Sequence, residues 1–265
     1  MTKTVETTAL MKPEDIAGQF PVLVSGSSKA LDILREQMDD DDLSIFSLTR
    51  IGVMPGGVNQ FAIKHPSGRE ESAQELMGVI LLRRKMRGYW PDGQELGMPP
   101  SCFSDDAKIG VGDINGSGDI ETRRCKTCPM AQFGSALKNG QRTKGQACQL
   151  RNILFFMREG NKGIPDLINA SPTSAGVIQG YIMEMAGEEM FAHHVVTKVK
   201  LIKEKNDAGQ PYSVMQFEKI GVLDPKLQAG SNAIHEAIQK LFSNTKIDAE
   251  AAATILSDAT PNDEE

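Results

Sequence analysis

No stretch of these 265 residues approaches the roughly 20 consecutive apolar residues that a membrane-spanning helix needs. The opening segment MTKTVETTALMKPED carries no apolar run of signal-peptide length, so a cytoplasmic protein with no membrane partner is expected. Histidine is scarce: four residues, with one adjacent pair, His193-His194, in a strand-like run whose neighbours point to opposite faces. Neither has a metal-ligand companion at useful spacing. The sequence shows no Walker-type phosphate loop and no nucleophile elbow, and no persuasive Asp/Glu–x–Lys nuclease pattern stands beside the cysteines. No enzyme is expected. A net positive charge is lacking too; the formal charge of −6 excludes a DNA-coating protein of the histone kind.

Cysteine is also sparse, but its placement is informative. Cys102, Cys125, Cys128 and Cys148 all fall within 47 residues, spaced C-x22-C-x2-C-x19-C. In a reducing compartment clustered cysteines serve as metal ligands more often than as disulfides. Cys125-Lys-Thr-Cys128-Pro129 reads as a knuckle, in which two intervening residues let backbone N–H groups turn toward the sulfurs. With Cys102 and Cys148 completing the set, structural Zn2+ is the expected cofactor, and an iron–sulfur cluster is the alternative. Buried cysteines acting as small apolar groups would account for Cys102 or Cys148 singly, but poorly for the knuckle. A closed four-thiolate site leaves no open position for water, so its role is structural. Nearby, Asp113 to Ile120 resembles half of a calcium loop, but Arg124 stands where a bidentate Glu is required; a polar loop is the better reading.

Charge is unevenly spread. Residues 1–42 hold nine acids against four bases, and residues 245–265 hold six against one. From Arg123 to Arg151 there are seven Lys or Arg and no Asp or Glu, including Arg123, Arg124, Lys126, Lys144 and Arg151. A polyanionic partner is expected for that stretch. The acidic ends read as solvated tails, as competitors for the basic groove, or as handles for partner proteins.

Periodicity predicts strands over 44–54, 75–90, 147–157, 193–205 and 212–223, a short helix capped by Ser27 or Ser28, a helix opened by Ser171-Pro172-Thr173-Ser174, and an amphipathic helix from about Ser231. Asn206 to Gly209 reads as a hairpin turn. The fold class expected is mostly β with flanking helices: an OB-fold-like five-stranded barrel carrying a four-cysteine zinc-binding insertion. The expected division is an acidic, loosely attached arm at 1–42, the barrel domain at 43–225 with its insertion at 91–146, and a C-terminal helix and acidic tail at 226–265.

If residues 75–90 are extended, Arg83, Lys85, Arg87 and Tyr89 project from one face, with Leu82, Met86 and Trp90 on the other. Cations in line with an aromatic suit single-stranded nucleic acid, charge for phosphates and a ring for base stacking. On the next strand Arg151 and Phe155 share a face, and Lys198 and Lys200 sit together on the fourth. A solvated strand face is the ordinary reading of such a pattern. Trp90 and Phe133 could stack on bases or fill the core.

SLTRIGV, the GYW after the basic strand, PPSCFSDDAKIG, CKTCPMAQFGSA and GQACQLRNILFF give residues 43–225 a pattern that resembles a group of proteins from phages and integrated mobile elements. In architecture the chain is similar to the helix-destabilising proteins of tailed phages, OB-folds with an acidic C-terminal tail and sometimes a zinc-bearing insertion. Such tails commonly end in an aromatic residue, whereas this one ends Asp263-Glu264-Glu265. The resemblance implies a single-stranded DNA-binding protein of replication or recombination, with RNA as an open alternative ligand and replication or recombination proteins as partners of the acidic C-terminus. The competing expectations are a zinc-module interaction factor of the same element and an iron–sulfur accessory of a nuclease or helicase.

Overall fold

The structure is a computed structural model, and it describes residues 9–16, 18–26, 28–37, 48–54, 58–94, 98–138, 140–205, 209 and 211–242. In chain order the strands are β1 (Ala9–Met11), β2 (Arg50–Val53), β3 (Phe61–Lys64), β4 (Glu70–Ala73), β5 (Glu75–Tyr89), β6 (Cys102–Ser104) and β7 (Ile109–Gly112). There follow β8 (Glu121–Arg124), β9 (Leu137–Lys138), β10 (Gln141–Arg142), β11 (Cys148–Arg158), β12 (Asp166–Ala170), β13 (Val195–Lys205) and β14 (Pro211–Leu223). The helices are α1 (Pro13–Ile16), α2 (Pro21–Ser25), α3 (Lys29–Gln37), α4 (Ala175–Gly187) and α5 (Pro225–Phe242). No helix among them is long and apolar enough to cross a membrane.

The protein is mostly β, but the expected barrel is not formed. Strands β1-β14-β13-β5-β11-β12-β2-β3-β4 lie side by side in one open mixed sheet, parallel at β1/β14 and β12/β2 and antiparallel elsewhere. Five strands would have to close to bury their inner face; this wider sheet buries both faces without closing. One face carries Val79, Leu81, Ile153, Phe155 and Met157 against α5 and the N-terminal helices. The other carries Leu76, Ile80, Leu154 and Phe156 against Ile178, Tyr181 and Met185 of α4. Burial on both sides explains the unbroken apolar run of β11.

The N-terminal helices, expected as a loosely attached arm, belong to the core. Ile16, Phe20, Leu23 and Leu31 are fully buried in the α5-side cluster. Ser28 caps α3 as expected: its Oγ accepts the N–H of Leu31 at 3.1 Å and lies 3.0 Å from the carbonyl of Gly163. Helix α2 meets α5 where Gly230 has no side chain; a Cβ there would stand 2.0 Å from the Leu23 carbonyl oxygen. The Asn206–Ala208 part of the hairpin turn, residues 44–47 of the first predicted strand and the acidic tail lie outside the described residues.

Candidate nucleic-acid interface and cysteine centre

The end of β5 brings the distant cysteines together. Tyr89 is the cross-strand partner of Cys102 on β6 and of Cys148 on β11, so the three lie in one row across adjacent strands. Cross-strand neighbours share a face, which puts both thiols on the same side. Strands β7 and β8 extend this branch and deliver Cys125 at the end of β8. Cys125–Thr127 is a 3-10 turn closed by the Cys128 N–H on the Cys125 carbonyl at 3.2 Å. All four cysteines are buried and unbridged, and they line one cavity with Arg87, Arg123 and Gly110. At Gly110 a Cβ would come within 3.1 Å of Cys102 Sγ, a tight approach, and 3.6 Å of Cys125 Sγ, an ordinary contact, so the backbone there passes close beside both sulfurs.

Burial pushes the Cys148 thiol up to about 12, with Cys102 and Cys125 adding to the rise and Arg87 opposing it. Cys102 is pushed up to about 11, first by burial and then by Cys128 and Cys125. The sulfurs therefore act on one another, and as free thiols these two are neutral at pH 7. They share a cavity, yet among the described residues no three His, Cys, Asp or Glu side chains are grouped so as to hold a metal ion.

Arg83, Lys85, Arg87 and Tyr89 alternate along β5 and occupy the α4-side face, opposite Leu154, Asn152, Leu150 and Cys148 of β11. Arg83 donates through Nε to Asn152 Oδ1 at 2.8 Å and through Nη1 to Gln179 Oε1 at 3.0 Å. Arg87 donates to the Cys148 carbonyl at 3.0 Å, which ties the row to the cysteine centre. Lys85 is exposed, and its pKa is lowered by partial burial and then by Arg83 and Arg87. Among the described residues no carboxylate lies within 4.0 Å of any of these three cations. Tyr89 packs against the cysteine cluster half-buried, and its phenol is pushed up by burial and by Cys128 and Cys148.

Other expected contacts lie elsewhere. Phe155 is fully buried with its ring 5.2 Å from Phe242, and Arg151 is 2% exposed and cross-strand from Met86, so both belong to the α5-side face and not to the β5 row. The cause is that helices cover both faces, where a barrel would have left one open. Lys198 and Lys200 also project to the α5 side of the sheet, as does Met77, the cross-strand partner of Lys198, and they stand 3.7 Å from Glu75 and 3.4 Å from Glu218 respectively. Arg123 lines the cysteine cavity and pairs with Glu121. Arg124, Lys126 and Lys144 are exposed on the cysteine segment. The Asp113 loop closes on itself, its carboxylate accepting N–H groups from Asn115, Gly116 and Gly118 at 2.7–2.9 Å.

The histidine pair departs from expectation. His193 and His194 lie on a 3-10 turn, Ala192–His194, and both reach Asn232 Oδ1, at 2.8 and 2.7 Å. His235 stacks on His193 with ring centroids 4.4 Å apart and bonds the Leu81 carbonyl through Nδ1 at 2.6 Å. Asn232 and His235 share one face of α5 by their i, i+3 spacing; that was the signal available in the sequence. Arg84, also missed, fixes the end of α5 by donating to the Phe242 carbonyl at 3.0 Å while pairing with Asp105. Comparison of the chain with models of protein families, with curated proteins and with solved structures returns no match.

Proposed function

We propose that this protein binds single-stranded DNA along the β5 row and the cysteine segment, acting in replication or recombination of a phage or mobile element. The observation that carries the reading is the row Arg83, Lys85, Arg87, three cations on one face with no carboxylate beside them among the described residues. Like charges so placed repel one another, and Arg83 and Arg87 add to the lowering of the Lys85 pKa that partial burial begins. A phosphate backbone supplies the missing counter-charge, and counterion release makes such binding salt-dependent. Lys126, Lys144 and Arg124 continue the positive surface, while Tyr89 is the ring of the row itself. RNA offers the same phosphates, and an oligo-rU arm in the titration separates the two. The resemblance to phage helix-destabilising proteins points the same way; its barrel does not enter the argument.

The four cysteines would hold Zn2+. The donor set is all thiol, buried and lining one cavity, and Gly110 brings bare backbone close beside Cys102 and Cys125. Four thiolates around a divalent ion carry a net charge of −2, and Arg87 and Arg123 line the same cavity to offset it. The metal would fix the knuckle to the strand ends of β6 and β11. A fluorescence titration with oligo-dT at several salt concentrations, beside metal analysis, tests the whole reading. Binding that is absent at low salt, or independent of salt, would sink it; an absorbance near ~400 nm would replace zinc by an iron–sulfur cluster.

A second reading has its own observation. Ile109, Val111 and Ile120 are 44%, 51% and 69% exposed on the cysteine branch. A protein partner docked there would be retained in pull-downs even where DNA affinity is weak.

A further inference from the structure

Phe133 is the most exposed of the large apolar side chains among the described residues, at 82%. It sits in the turn that follows the Cys125–Cys128 knuckle, and that turn is closely bonded on both sides of the ring. Gln132 Nε2 donates to the carbonyls of Lys126 and Cys128, both at 3.1 Å. The Gly134 N–H donates to the carbonyls of Gly145 at 2.9 Å and Lys144 at 3.2 Å, in a left-handed conformation (φ 83°) that glycine adopts without strain. Ser135 Oγ lies 2.9 Å from the Met130 carbonyl and accepts the Ala147 N–H at 2.9 Å. Ala131, two residues before the ring, is buried against the cysteines.

These bonds order the turn that carries Phe133 and leave the phenyl ring presented to solvent. Its surroundings set the class of partner. The bonds of Gln132 and Gly134 to the backbone carbonyls of Lys126 and Lys144 keep these two exposed lysines next to the turn, and the span from Arg123 to Arg151 contains no acidic residue. An exposed apolar ring in a basic stretch whose own sequence holds no acid has the composition of a single-strand stacking contact. We propose that Phe133 stacks on a base of single-stranded DNA, with Lys126 and Lys144 holding the adjoining phosphates. This rests on the DNA-binding reading above and adds to it a contact at the tip of the cysteine segment, away from the β5 row.

The test is a titration of the full chain with labelled oligo-dT, comparing the parent with Phe133→Ala and Phe133→Trp. Phe133→Ala is expected to weaken affinity about five- to a hundred-fold, the range one base–aromatic stack contributes, with an unchanged salt slope because no phosphate contact is lost. Phe133→Trp is expected to retain affinity. An exposed ring is not needed for folding, so both variants should melt with the parent. If the parent binds and Phe133→Ala binds equally well, the assignment of Phe133 fails alone. If the parent does not bind oligo-dT, the wider reading fails and takes this one with it. A Phe133→Ala variant that keeps oligo-dT but loses a co-purifying protein would assign the ring to a protein contact and overturn the proposal.

Discussion

The large sheet is filled by side chains as bulky as Phe20, Phe155, Phe156 and Tyr181, whereas the buried cluster of the cysteine segment is Cys102, Ile114, Cys128, Ala131 and Cys148. Ordering a residue costs about 1–2 kcal/mol in backbone entropy alone. Burying a Leu or Phe side chain returns about 1.5–3 kcal/mol, so the sheet offsets more of that cost than the cysteine segment does. The contrast extends to charge. Cations around the sheet have carboxylates beside them, as Arg158 has Asp166 at 2.8 Å and Lys200 has Glu218 at 3.4 Å. Arg83, Lys85 and Arg87, at the junction with the cysteine segment, have none among the described residues. One half of the molecule is internally complete; on the function proposed above, the other is completed by a metal within and a polyanion outside.

Cys128→Ala puts the greatest strain on that division. Without the fourth thiolate, bound zinc should fall from one equivalent to none, and oligo-dT affinity should drop by about a hundredfold as the cationic turn loses its anchor. Melting of the sheet, followed by far-UV circular dichroism, should stay with the parent. A variant that binds DNA normally would show the cysteine centre and the binding face to be separate matters. The reciprocal experiment is Gly230→Ala, whose new Cβ overlaps the Leu23 carbonyl oxygen. Forcing α2 from α5 should destabilise the sheet half by about 2 kcal/mol in urea unfolding, with zinc content unchanged. Equal loss of zinc would mean that the two halves unfold together.

The same contrast governs what could be read in the sequence. Strands β5, β11, β13 and β14 stand close to their expected positions because long alternating or apolar runs have few other ways to bury themselves. β12 escaped because Asp166 and Asn169 disguise a fully buried strand, Asp166 being neutralised from outside the segment by Arg158. β3 is only four residues long and lacks the length that makes a period visible. The face shared by Arg83, Lys85, Arg87 and Tyr89 was legible because strand alternation is local. That Phe155 and Arg151 face α5 was not, since the sequence of β11 cannot say that helices cover both of its sides. That the four cysteines line one cavity accords with their number and spacing; that Tyr89 stands across from two of them depends on strand pairing.

Lys85 is the exposed centre of the uncompensated row, and Lys85→Gln removes one charge without touching a packed atom. Affinity for oligo-dT should fall about fivefold, and the salt slope should decrease by about 0.7, one phosphate contact on a single strand. An unchanged slope would place the strand elsewhere. Acid should act instead on the internally complete half, through the histidine cluster at the start of β13. Burial, followed by His235 and His194, lowers the His193 pKa to about 4, while its bond to Asn232 opposes the shift. A histidine with a depressed pKa is held neutral in the folded state, so its contribution is fully present above about pH 6.5 and is lost as pH falls toward about 4. Thermal melts across that window should decline in the parent and decline less in His193→Gln.

The smallest effect is expected from Lys198→Gln combined with Lys200→Gln, and it tests whether the pairing of charges, more than their number, decides where a polyanion binds. Both lysines are on a central strand and carry the same charge as Lys85. Each already faces a carboxylate, on the side of the sheet opposite to the β5 row. A phosphate arriving there would have to displace Glu75 or Glu218 and accept the repulsion of the carboxylate it left behind. Surface pairs of this kind contribute about 0–1 kcal/mol to folding, so the double variant should remain stable. Its oligo-dT affinity should stay within about twofold of the parent and its salt slope should not move, although it has lost two positive charges where Lys85→Gln has lost one. A loss larger than that of Lys85→Gln would show that a strand passes over β13, and that its partnered cations are as available to DNA as the unpartnered ones.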